Sequence, residues 1–141
     1  MKKWLAVIVA GAIFGYLVLW GGRQFFAEKP DPRSLDGLSK IAAELNRSVP
    51  ALIDKETELM RVEAHEGMLI YKYRLVPFSV SQLNHEKFAA SARERIVQLA
   101  CNQTETREEY LKNGVTLRYS YFDKNKDHIA TVDVAPKDCG F

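Results

Sequence analysis

Thr57–Val76 reads TELMRVEAHEGMLIYKYRLV, and its second half decides the fold. Leu69, Tyr71, Tyr73 and Leu75 alternate with Ile70, Lys72 and Arg74, the period of two that puts successive side chains on opposite faces of a strand. The first half is also rich in strand formers, and His65-Glu66-Gly67 lies between the halves. Gly67 supplies the freedom a tight reversal needs, so the stretch predicts a β-hairpin. A second stretch, Val115–Val134 (VTLRYSYFDKNKDHIATVDV), repeats the pattern. Val115, Leu117, Tyr119 and Tyr121 make one face, and Ala130, Val132 and Val134 make the matching face of the last strand. Both hairpins carry a Tyr-x-Tyr strand, which fits either a duplication or convergence of strand-forming residues. Most of these tyrosines are expected in the core.

Helical spacing fills the intervals. Ser34 can cap a helix in which Leu35, Leu38, Ile41, Ala42 and Leu45 recur, and Asn46–Pro50 ends it. Asn84 can start a second, with Phe88, Ala92, Ile96 and Leu99 on one face. Thr106 and Glu109 match a capping box for a short third helix, which Asn113-Gly114 would stop. The predicted class is therefore α+β. Residues 34–141 form a two-layer domain in the order helix, β-hairpin, helices, β-hairpin, with a four-stranded, mainly antiparallel sheet.

The start of the 141-residue chain has another character. Trp4–Gly22, WLAVIVAGAIFGYLVLWGG, carries no charge. Nineteen residues at about 1.5 Å each reach roughly 28 Å, close to the hydrocarbon thickness of a bilayer. That core is longer than a secretory signal needs, and Phe25 and Trp20 stand where cleavage after Ala27 or Gly22 would require a small residue. Residues 4–22 are therefore expected to be an uncleaved signal anchor in the lipid bilayer, with residues 1–3 as a cytoplasmic stub. Lys2 and Lys3 keep that end inside, so the body lies outside the cytoplasm. Residues 23–33 form a linker in which Pro30 and Pro32 oppose helix. Gly11, Gly15 and Gly22 share a face of the anchor and would allow close helix approach, hence a homodimer.

In an oxidising compartment the two cysteines, Cys101 and Cys139, are expected to pair; the alternative is two unrelated buried thiols. The bridge would tie down a C-terminus that otherwise frays. Without Lys2, Lys3, Arg23, Glu28 and Lys29, the 20 basic and 18 acidic residues fall to 16 and 17, a net charge of −1. No basic footprint for nucleic acid remains.

The chain offers little to catalysis. Asp123–His128, DKNKDH, resembles the start of a calcium loop, but His128 and Val134 stand where the loop needs Gly and Glu. A tight turn is the better reading. His65, His85 and His128 have no zinc-ligand spacing. Cys101 as a nucleophile would need His85, about four turns away on one helix. There is no Cys-x-x-Cys, nucleophile elbow, phosphate loop or dinucleotide fingerprint. No catalytic residue, metal or cofactor is expected. Asn46-Arg47-Ser48 and Asn102-Gln103-Thr104 are formal glycosylation sequons, relevant only to a eukaryotic secretory route. Phe78, after Pro77, and Phe122, opposite Tyr119 and Tyr121, are the candidate partner contacts.

The stretches ELNRSVPALIDKETEL, YKYRL, QLACNQ, NGVTLRYSYFD and APKDCGF resemble a group of small bacterial envelope domains that follow an anchor or signal sequence. The resemblance implies a periplasmic setting and a Cys101–Cys139 bridge, and it carries no catalytic residue. In layout the chain is also similar to prophage superinfection-exclusion proteins, which block DNA passage at the inner membrane. The first functional expectation is thus a non-enzymatic interaction module at the periplasmic face of the inner membrane, contacting an envelope or phage protein, with superinfection exclusion as its concrete form. The alternatives are an accessory subunit of a secretion, conjugation or other envelope machine, and an enzyme acting on the envelope.

Overall fold

A computed structural model describes residues 31–141. Asp31–Phe141 is a compact unit. Among the described residues no helix is long and apolar enough to cross a membrane. The expected anchor, with Gly11, Gly15 and Gly22, lies outside them.

Helix α1, Leu35–Leu45, begins where Ser34 accepts a hydrogen bond from the Gly37 amide. The next elements are strands β1 (Ala51–Leu52), β2 (Thr57–His65) and β3 (Met68–Leu75). Helix α2, His85–Asn102, starts on Asn84, whose side chain accepts from the Lys87 amide. Strands β4 (Thr116–Phe122) and β5 (His128–Val134) close the order.

The sheet has five strands in the order β1-β2-β3-β4-β5, not the four expected. The addition, β1, is two residues that pair with Leu59 and Glu58, too short to show an alternation. The two hairpins are antiparallel, and they join through a parallel pairing of β3 with β4, so the sheet is mixed. Gly67, at φ +71°, turns the first hairpin.

The third helix also departs from expectation. Thr106–Leu111 is a wide, π-type turn, and Thr106 does not cap it. Its single hydroxyl proton instead lies between the carbonyls of Ala100, at 2.9 Å in the last turn of α2, and Gln103, at 3.1 Å just beyond it. Gly114, at φ +87°, lies just beyond that turn, where Asn113-Gly114 was expected to stop it.

One sheet face carries the main core, in which Leu69, Leu117, Val62, Val132 and Val134 meet Leu38 and Ala42 of α1 and Ile96 and Ala100 of α2. The other face is charged and open. Glu58 pairs with Arg74 at 3.2 Å, Glu63 with Lys72 at 3.0 Å, and Arg118 with Asp133 at 2.8 Å. The Arg118–Asp133 pair is exposed and the other two are half-buried, so water still reaches this face and screens the pairs. Cys101 and Cys139 form a disulfide, with Cα atoms 5.3 Å apart. The bridge fastens the final turn, Pro136–Cys139, to the last turn of α2.

Candidate functional site

The two helices do not cover the sheet evenly. Helix α1 packs over β2 and α2 over β5. The central strands β3 and β4 therefore lie beneath the gap between them. Parallel registry sets Tyr71 beside Tyr119 and Tyr73 beside Tyr121 on that face. Ring centroids are 5.3 Å apart in the first pair and 5.4 Å in the second, with the planes within 12° and 22° of parallel. The tyrosines thus form a two-by-two block whose ring faces turn toward one another.

Above this block lies a groove of about 640 Å³. Its walls include Ala92, Ile96 and Leu99 of α2 and Leu45 at the end of α1. Phe78, Leu83 and Phe88 lie in the lining as well, as does Ile53 just past β1. Tyr110 adds a fifth phenol. Three large apolar side chains of the lining are left to water: Leu45 is 36% exposed, Ile53 58% and Leu99 55%. Leu99 belongs to the face that sequence spacing assigned to packing, yet only Ile96 and Ala100 of α2 are fully buried. The helix turns part of its apolar stripe into the groove.

Burial pushes the Tyr71, Tyr73 and Tyr119 phenols well above their usual range, with added repulsion from neighbouring groups. Tyr121 is pushed up to about 12, again mainly by burial. Burial followed by repulsion from Glu105 and Glu109 raises Tyr110. All five are neutral at physiological pH and can donate or accept. Among the described residues none of their hydroxyls has a hydrogen-bond partner, and all five tyrosines line the groove.

The charged residues of the lining are Asp54, Glu56, Arg95 and Glu105. The amide of Glu56 in particular, then the Thr57 side chain and amide and the Arg95 charge, hold Asp54 below the usual carboxylate range despite a cost of burial. No histidine lines the groove.

Of the partner contacts expected from sequence, Phe78 lies at the groove, packed with Leu75, Ile129 and Ala130. Phe122 is elsewhere, on the charged face, edge-on to the His128 ring at 5.6 Å. The structure does not bring the two together. The tyrosine block was missed as a site. Its signal was the doubled Tyr-x-Tyr, because four phenols on one sheet face are too many hydroxyls for an apolar core to satisfy.

The calcium-like stretch is a turn. Asp123 is wholly buried and accepts from the amides of Val80, Asn125 and Asp127 at 2.8, 2.8 and 2.9 Å. Among the described residues no group of three or more His, Cys, Asp or Glu could hold a metal ion. His128 hydrogen-bonds Thr131 at 2.8 Å, and His65 and His85 are exposed at the ends of β2 and α2.

No protein-family model matches the chain, and neither does any curated protein. Three solved structures share the fold. A Pseudomonas aeruginosa protein assigned as secreted is 22% identical, with a TM-score of 0.63, over 79% of this chain and 97% of its own. The pilotin EpsS of the Vibrio vulnificus type 2 secretion system is 15% identical, with a TM-score of 0.61, over 76% and 92%. The type II secretion pilotin AspS of Vibrio cholerae is 18% identical, with a TM-score of 0.55, over 72% and 88%.

Proposed function

We propose that this chain is a non-catalytic accessory subunit of a bacterial envelope secretion machine, and that it holds a segment of a partner protein in the tyrosine-floored groove. The observation that carries the proposal is the groove itself: an apolar channel between two helices, with Leu45, Ile53 and Leu99 exposed along it. Covering the open halves of Ile53 and Leu99 is worth about 1 kcal/mol each, which favours an occupant. Two fold neighbours are type II secretion pilotins, and this supports the secretion reading over the other envelope machines. Superinfection exclusion, the first expectation from sequence, finds no counterpart among these neighbours. The disulfide suits an oxidising compartment. In this proposal residues 4–22 anchor the chain in the inner membrane, the body works in the periplasm, and the anchor raises the local concentration so that a weak contact suffices.

The test is secretion. Deleting the gene is expected to reduce the protein exported to the medium, and a Leu99→Arg chain should fail to restore it while accumulating normally. Full export with Leu99→Arg would refute the groove's role, and full export after deletion would refute the secretion assignment.

A further inference from the structure

The floor of the groove is not apolar throughout. It presents Tyr71, Tyr73, Tyr119, Tyr121 and Tyr110, whose hydroxyls have no partner among the described residues. Within the block each ring turns one face to its neighbour across the β3–β4 seam, which leaves less ring surface for a sugar or nucleobase to stack on. The edge contact of Phe88 with Tyr121, at 5.3 Å, closes that end further. What reaches the groove is a set of neutral hydroxyls set among aliphatic walls.

An occupant that fills the groove strips water from these hydroxyls. A uniformly aliphatic occupant, such as an acyl chain, would leave them unpaired, and that is costly. A polypeptide can supply carbonyl, amide or hydroxyl acceptors between apolar side chains. The charges point the same way. Asp54, Glu56 and Glu105 outnumber Arg95 in the lining, and none of the four is in an ion pair among the described residues. Arg95 lies close enough to Asp54 and Tyr121 to act on both. Glu105 lies close enough to Tyr71 and Tyr110 to act on both, and it is left without an ion-pair partner among the described residues.

We infer that the occupant is a polypeptide segment, not a lipid chain, whose groove-facing stripe mixes apolar side chains with hydrogen-bond acceptors and carries a basic side chain over Glu105. This rests on the docking role proposed above and adds the chemistry of the partner segment.

A library of random 16-residue peptides can be selected on the full chain in lipid nanodiscs, with the Leu99→Arg chain as counter-selection. The expected winners carry Ser, Thr, Asn or Gln among apolar residues, together with a Lys or Arg. Each lost hydroxyl should weaken them roughly five-fold, so Tyr71→Phe with Tyr119→Phe should cost about 25-fold. Glu105→Lys should weaken the basic winners selectively. Purely aliphatic winners, whose affinity holds or rises in the double Phe variant, would overturn the inference while sparing the docking groove. So would a fluorescent hexadecanoate that displaces the winners. A selection that yields no peptide dependent on Leu99 would remove the groove reading, and the inference with it.

Discussion

The side chain of Asn46 closes the outer edge of β2 as a short strand would. Its Nδ2 donates to the Val62 carbonyl and its Oδ1 accepts from the Val62 amide, both at 2.8 Å. Val62 is 1% exposed, so neither backbone group has ready water. Strand β1 pairs only with Leu59 and Glu58 and cannot serve Val62. Asn46→Ala deletes both bonds. At a net value of about 1 kcal/mol each, with some desolvation left uncompensated, the loss is about 2–3 kcal/mol. For a domain of this size that lowers Tm by roughly 10 °C. Asn46→Asp makes a sharper comparison. It keeps an acceptor for the amide but sets an anionic oxygen against the Val62 carbonyl. It should therefore cost at least as much as Ala at pH 7, and recover part of the loss once acid protonates the new carboxyl. Thermal and urea unfolding of the oxidised protein measure both. An Ala variant within about 0.5 kcal/mol of the parent, or an Asp variant indistinguishable from it, would refute the edge-closure reasoning.

Two further outcomes follow from the cysteines and from Asp123. Cys139→Ser opens a bridge spanning 38 residues, which the loop-entropy model values at about 4 kcal/mol; urea unfolding should show that loss, and thiol labelling should find Cys101 free in the variant but no free thiol in the parent. Burial raises the Asp123 carboxyl, but hydrogen bonds from the amides of Val80, Asp127 and Asn125 and the Lys124 charge outweigh it, leaving a folded value below the usual range. The stabilisation is therefore present above the ordinary carboxylate range and lost as pH falls through the folded value, so the Tm advantage of the parent over Asp123→Asn should shrink below about pH 4. A gap that is constant from pH 6 to pH 2 would contradict it.

Both hairpins were legible because their information is local. Gly67 and the Asp123–His128 turn set the register of strands only a few residues apart. The helix caps at Ser34 and Asn84 were legible for the same reason. The parallel seam between β3 and β4 was not, because about forty residues separate Leu75 from Thr116 and alternation looks the same in an edge strand and a central one. The groove was hidden by a related limit. Period two assigns Tyr71 and Tyr119 to the inner face but does not say that the helices settle over β2 and β5 instead. Leu99 was misread in the same way, since its helical spacing marks a face and not its cover.

The most direct test places a photoreactive amino acid at Leu99 in the groove and, separately, at Lys72 on the charged face, with the full chain made in its source cells. The account predicts one dominant protein adduct from Leu99, absent when the genes of the secretion machine are deleted, and no such adduct from Lys72. The same adducts from both positions, or a Leu99 adduct that persists without the machine, would contradict it.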